Sequence, residues 1–379
     1  MSATTESKQP GRRVLTVNSG STSVKLAAFE TQPDGAVTQV SQQHCTGDNL
    51  VPREILSGFV QKLAHPPDAI AHRVVHGGTR FPRPVRIDSN VLAAIRDLCE
   101  LAPLHNPKAL EWIEAARQTV GSGITQIAVF DTSFFASLPR VASEYALPPK
   151  FGIDHGVRRY GFHGLAHDAL SRRWTELNPS LPLGGRIITL QMGGGVSAAA
   201  ISRGKPVDTS MGFSPLEGLV MATRSGDLDP AVVPHLARRL RKSAEGIVEQ
   251  LNHEAGVFGL SGGQTDLGKL ATDPSPRAQL AIDLYCYRAR KYVGAYLAVL
   301  QGCDGIVFGG GVGEHVPEVR RRILDGMEWA GIELDPGANV TARGQEARID
   351  SGRLPVRVQV VPVDEDGVLV RAALEVTAA

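Results

Sequence analysis

The sequence predicts an α/β protein built from two related halves, on three observations. Strand-sized apolar runs alternate with helix-like stretches along the chain. A unit of strand, small-residue turn and strand occurs twice, about 175 residues apart, which marks a duplicated architecture. The length, 379 residues, suffices for two domains with full cores.

The elements follow in chain order. In VLTVNSGSTSVK (14–25) an apolar strand enters a hydroxyl-rich turn centred on Gly20, and 24–29 forms its partner strand. Residues 70–75 (IAHRVV) read as a strand ending at His76-Gly77-Gly78. A helix spans 89–101 with Ser89 as cap, and Asn106-Pro107 starts another over 108–120. Residues 127–130 are a short buried strand ending at Asp131, and 160–163 lead into a helix carrying 165–174. The second hairpin pairs 187–192 with 196–201 around Gly193, Gly194 and Gly195. Long helices occupy 243–255 and 278–300, and a strand at 305–308 breaks into the loop 309–313. A helix over 317–330, a strand over 356–361 and a helix over 367–376 complete the chain. Residues 131–153 carry no strong periodicity, so the domain crossing is placed near their start. The expected domains are 12–133 and 134–365. The C-terminal helix (366–379) packs back on the first, and 1–11 form a disordered lead-in.

Bulk properties narrow the function classes. A net charge of +1 with no basic block argues against nucleic acid as a partner. The longest apolar runs are strand-sized, so no membrane span is expected. The first residues lack the apolar core of a secretory signal. Cys45, Cys99, Cys286 and Cys303 show no metal-ligand spacing and read as reduced thiols of a cytoplasmic protein.

Several residues stand where chemistry is expected. The turn after Asn18 leaves backbone N–H groups close together, Ser21 and Ser23 add hydroxyls, and Lys25 adds a charge at its exit. Such clustered donors suit a phosphate, although Asn, Ser and Gly also favour ordinary hairpin turns. Arg73 lies within an apolar strand, where a guanidinium needs a partner: a structural carboxylate, or an anionic substrate gripped in bidentate fashion. Asp131 ends a strand, where a carboxylate orients a nucleophile, binds Mg2+ or caps the next turn. His163 opens a helix and either donates to a transferring group or packs beside Phe162. Arg224 sits in a loop, where most arginines are solvated. The residues Gly309, Gly310, Gly311, Val312 and Gly313 let a backbone approach a nucleotide without side-chain obstruction. Glu365 is a strand-end acid placed like Asp131, or part of a solvated turn. The chain contains neither GxxxxGK[ST] nor a GxGxxG with a distal acid, which argues against P-loop and dinucleotide folds.

A pair of glycine hairpins is how the actin-like ATPase and sugar-kinase superfamily holds a nucleotide. Eight segments in order resemble the acetate kinase family, which includes propionate and butyrate kinases. They are VLTVNSGSTSVK, HRVVHGG, LAPLHNPKAL, VFDTSF, RRYGFHG, DTSMGFSPLEGLVMATRSGDLDP, FGGGVGEHVPEVR and VPVDED. The resemblance implies a two-domain actin-like (ribonuclease H-like) fold with its active site in an interdomain cleft. It implies direct in-line transfer of a phosphoryl group from ATP to acetate, giving acetyl phosphate and ADP, with Mg2+ (or Mn2+) as cofactor. By the same resemblance Arg73, Arg224, His163 and Asp131 are the catalytic groups. Val75, Leu104, Phe162 and Pro215 line a small acyl pocket with Arg73. Asn18 and Glu365 organise the metal. Asn18, Ser21, Ser23, Lys25, Gly193–Gly195, Asp266, Leu267, Gly268 and the 309–313 loop hold the nucleotide. A homodimer is the family's habit.

Departures fall on the donor side. The family's His-Leu-Gly-Asn-Gly is here Gln191-Met192-Gly193-Gly194-Gly195, and an arginine position near the adenosine is Gly268, beside Lys269. Gly-Thr-Ser-His after the catalytic histidine is Gly164-Leu165-Ala166-His167, and Phe135 replaces another histidine. ATP through backbone contacts is the favoured donor, with pyrophosphate or another nucleotide as the alternative. A related kinase for propionate or butyrate is a second reading. An actin-like nucleotide-binding regulator without an acyl substrate is a third, against which the arginines and the apolar positions weigh.

Overall fold

The computed structural model describes residues 11–20, 23–32, 34–47 and 49–378. The expected lead-in, except Gly11, and Ser21 lie outside these residues. The chain forms two compact units: one comprises the chain up to Ser133 and from Glu365 onward, the other Phe134–Asp364.

The first unit is built on strands β1 (Arg13–Ser19), β2 (Ser23–Thr31), β3 (Val37–Thr46), β4 (Ala69–Val74), β5 (Val85–Arg86) and β6 (Thr125–Phe130), in the sheet order β3-β2-β1-β4-β6-β5. β1 pairs with β2 as an antiparallel hairpin and with β4 in parallel, and β4 and β6 are also parallel. The central strands are almost wholly buried, as parallel strands covered on both faces must be. Alternation along β1 divides its side chains between two layers. Leu15 and Val17 join a core with Trp112 of helix Asn106–Val120. Thr16 instead donates to Asp366 in the last helix, Glu365–Ala378.

The second unit repeats the plan with β7 (Arg186–Met192), β8 (Val196–Ser202), β9 (Lys205–Thr209), β10 (Gly305–Gly309), β11 (Ala347–Arg348) and β12 (Arg357–Val360), in the order β9-β8-β7-β10-β12-β11. Again a hairpin leads, β10 pairs in parallel with β7 and β12, and a two-residue antiparallel strand closes the edge. The two sheets therefore share one topology. Trp174 and Leu170, from helix Gly164–Leu177, pack with Ile187, Ile201 and Val307 in its core.

Several expected boundaries move. Asp88, not Ser89, caps its helix, accepting from the Val91 N–H at 2.8 Å. The helix expected over 317–330 ends at Leu324, because Gly326 adopts φ +74° and only one 3-10 turn, Glu328–Ala330, follows. The 309–313 segment is not a loop: Gly309 ends β10 and Gly310–His315 is a short helix. The last helix starts at Glu365, so the expected acid at a strand end is also a helix start. Among the described residues no helix is long and apolar enough to cross a membrane.

Candidate functional site

In the first unit the equivalent ends of β1, β4 and β6 carry Asn18, Arg73 and Asp131. Arg73 is held by both oxygens of Asp131: Nη2 reaches Oδ2 at 2.7 Å and Nε lies 3.2 Å from each oxygen. Its Nη1 donates to Asn18 Oδ1 at 3.4 Å, and Asn18 Nδ2 donates to Glu365 Oε2 at 2.7 Å. Asp131, Arg73, Asn18 and Glu365 thus form one continuous chain. The Asp131 side chain is 1% exposed and that of Arg73 14%. Burial works against the charge on Arg73, but Asp131 and Glu365 outweigh it and raise its pKa. The guanidinium is therefore cationic at any working pH. Lys25 makes an ion pair with buried Asp366 at 2.7 Å. That contact balances a helix-start acid and uses the lysine internally.

The surrounding loops are pinned by residues that sequence reasoning passed over. Asn106, read only as a helix start, is fully buried. Its side chain accepts from the His76 N–H and donates to the His76 carbonyl, both at 3.0 Å. Thr132 accepts from the Gly77 N–H at 2.9 Å. Gly77 has no room for a Cβ, which would lie 2.9 Å from the Phe130 ring. The interlock explains why HRVVHGG, LHNPKAL and VFDTSF occur together. Val75 is buried beside this loop, whereas Leu104 is 51% exposed. Ser23 closes the β1–β2 turn by accepting from the Gly20 N–H at 2.8 Å.

In the second unit His163, Arg224 and the Gly193–Gly195 turn converge. A Cβ placed on Gly195 would lie 3.1 Å from both Cε1 and Nε2 of His163 and 3.6 Å from Arg224 Nη1. His163 adopts φ +57° at the start of helix Gly164–Leu177, a left-handed conformation that is strained for a non-glycine residue. Its Nδ1 lies 2.9 Å from Ser197 Oγ on β8. Arg224 donates to the Pro215 carbonyl at 3.2 Å, and no carboxylate pairs with it among the described residues. Burial alone lowers its pKa. Its loop is stitched in place, with Ala222 N–H donating to Gly194 O and Phe258 N–H to Ala222 O. Gly256, at φ +59°, approaches the Arg224 carbonyl so closely that a Cβ would lie 2.6 Å from it. Phe162 is buried beside His163 in the chain.

The donor-side residues have mixed settings. Gly310, at φ +76°, would place a Cβ 2.7 Å from the Met192 carbonyl and 2.9 Å from Gln191 Nε2, so Gln191 lies directly over it. The Gly310 N–H donates to Glu314 at 2.9 Å. Gly194 and Gly311 open onto free space. Buried Arg320 donates to the carbonyls of Gly313, Glu314, Asn339 and Ala342, which clamps the end of the 310–315 helix. Asp266 caps helix Leu267–Thr272, accepting from the Gly268 and Lys269 N–H groups.

The acids present suit a hard divalent ion only in part. Glu365 accepts only from Asn18 among the described residues, whereas Asn18 Oδ1 accepts from Arg73 and both Asp131 oxygens are engaged by Arg73. Among the described residues no group of three or more His, Cys, Asp or Glu forms a metal cage. A single carboxylate such as Glu365, completed by substrate phosphates, is a common setting for Mg2+.

The chain is similar to known proteins across its length. The Acetokinase family model matches residues 34–371. An acetate kinase of Chloroherpeton thalassium is 45% identical over 308 residues, covering 80% of this chain and 74% of that one. The crystal structure of Porphyromonas gingivalis acetate kinase superposes with a TM-score of 0.84 at 36% identity, covering 97% of this chain and all of that one. A propionate kinase from Francisella tularensis gives 0.87 at 30% identity, over 96% and 99% of the two chains. With two sheets of one topology described, these matches assign the chain to the acetokinase family, phosphotransferases that use a carboxyl group as acceptor.

Proposed function

We propose that the chain catalyses reversible, Mg2+-dependent transfer of the terminal phosphoryl group of ATP to acetate, giving acetyl phosphate and ADP without a covalent enzyme intermediate. The observation that carries this is the buried Arg73–Asp131 pair, with Asn18 and Glu365 continuing it. A carboxylate acceptor is already ionised at pH 7 and needs no strong base. The difficulty is bringing one anion to another, so catalysis consists of positioning and neutralising charge. Asp131 holds Arg73 at a fixed angle, and Arg73 then grips the acceptor carboxylate. Arg224, free of any acid among the described residues, stabilises the charge of the transferring group, and His163 donates to its oxygens. Mg2+, when bound, neutralises phosphate charge beside Glu365 and Asn18.

By resemblance to the acetokinase family, Val75, Phe162 and Pro215 are the apolar residues that meet the acyl group of a short acid. Each further methylene gains only about 0.8 kcal/mol where space exists, so propionate is tolerated. The protein acts as a cytoplasmic homodimer. ATP is the donor, taken up largely by backbone N–H groups around Gly194 and Gly311, which open onto free space. Hydroxamate trapping of acyl phosphate, with acetate, propionate and butyrate against ATP and pyrophosphate, tests the proposal. Acetyl hydroxamate with ATP is the expected product. Failure with every acid removes the proposal, and turnover with pyrophosphate but not ATP replaces the donor.

A further inference from the structure

Three polar side chains deep in the second unit form a hydrogen-bonded run that ends on His163. Thr189 on β7, Ser197 on β8 and His167 on helix Gly164–Leu177 are all fully buried. His167 Nδ1 lies 2.7 Å from Thr189 Oγ1, His167 Nε2 lies 2.8 Å from Ser197 Oγ, and the same oxygen lies 2.9 Å from His163 Nδ1. The Phe135 ring stands edge-on to His167 at 5.7 Å and helps to keep water away.

We infer that Thr189, His167 and Ser197 are positioning residues, a proton-ordered hydrogen-bond chain that fixes His163 as the neutral tautomer with its proton on Nε2. The order follows from counting protons. Complete burial beside Thr189 and Ser197 holds the His167 pKa down to about 3, so His167 is neutral and carries one N–H. The Thr189 hydroxyl has no acceptor among the described residues except His167 Nδ1, and buried hydroxyl protons are not left unpaired. Thr189 therefore donates to Nδ1, and the His167 proton sits on Nε2. That N–H donates to Ser197 Oγ. Ser197 must then send its single proton to His163 Nδ1. The His163 proton is left on Nε2, on the ring edge that borders Gly195 and Arg224. The reverse order would strand the Thr189 proton in the core. The consequence for catalysis rests on His163 acting as a donor to the transferring phosphoryl group. The chain would keep that donor present and aimed without a positive charge on the ring.

Nitrogen-15 NMR of the full chain labelled at histidine tests this, with His163 and His167 assigned by His163→Gln and His167→Gln. Expected are an unprotonated Nδ1 and a protonated Nε2 on both rings in the resting protein. A His163 proton on Nδ1 overturns the inference whatever the activity. Ser197→Ala should lower kcat about tenfold through loss of ring alignment, with the KM for ATP and acetate little changed, and Ser197→Thr should recover most of it. Wild-type kcat in Ser197→Ala would also overturn it. Full activity in His163→Ala would remove the donor role instead, while leaving the tautomer result standing.

Discussion

Replacing Gly195 by alanine sets one methyl group against His163 and Arg224. Its φ lies outside the left-handed region, so the backbone accepts a side chain without strain. The new Cβ lies 3.1 Å from both Cε1 and Nε2 of His163, closer than an ordinary van der Waals contact. Being equidistant from the two atoms, it presses on the ring edge between them. The imidazole cannot slide freely, because Ser197 holds Nδ1 and the backbone at φ +57° fixes its root. A few tenths of an ångström of displacement must therefore become rotation of the donor. Misplacement of about 1 Å costs roughly 10²-fold in rate, and loss of one transition-state donor costs roughly 10²–10³-fold. Gly195→Ala should thus lower kcat by about 10², or about 2.7 kcal/mol. Folding stability should hardly change. Gly58→Ala, outside the proposed site, is the control, since its Cβ meets nothing within 4 Å, and it should keep the activity. Initial rates from acyl hydroxamate trapping, with thermal melts of both variants, decide the matter. A Gly195→Ala enzyme with wild-type kcat would refute the placement of His163 in the reaction.

The two arginines should separate by stability. Arg73→Ala and Arg224→Ala should each lower kcat by about 10²–10³. Only Arg73→Ala strands a buried carboxylate, Asp131, and so should also cost about 3–5 kcal/mol in urea unfolding. Arg320→Met removes the donors to three buried carbonyls and one part-buried one, and each buried carbonyl costs about 1–3 kcal/mol when unpaired. It should therefore be among the most destabilising single changes, and retention of the wild-type urea midpoint would refute that clamp. Stability should fall on acidification from pH 6.5. Burial holds the pKa of His72 down to about 4 and that of His167 to about 3, so below 6.5 the unfolded chain binds protons that the native one refuses. The loss continues until the pH passes those folded values. Each such histidine adds up to about 1.4 kcal/mol per pH unit. His72→Leu should flatten the profile between pH 5 and 6.5, and an unchanged slope would count against the assignment.

Much of this was legible in the chain. The two strand–turn–strand units announce the duplication, because glycine turns and apolar alternation are local properties. Both sheets carry them at the same topological place. Arg73 in an apolar strand and Asp131 at a strand end were each ambiguous alone. Their ion pair is the structural alternative, a buried guanidinium satisfied by a carboxylate, and the proposed grip on substrate builds on it. Half-exposed elements such as β3 escaped notice because they lack a buried stripe. Helix 317–330 was overextended because a hydrophobic pattern continues past a glycine whose conformation the pattern does not report.

Residue types and their order determined the family, the α/β class and the cations and acids available for phosphoryl transfer. Only the folded structure decided which of them touch. Ser197, Asn106 and Thr132 look like ordinary polar residues in the sequence. Their roles arise where segments some 30 to 55 residues apart close on one hydrogen bond. Direction and distance between side chains are set by packing around a shared core, and no local pattern along a chain encodes them.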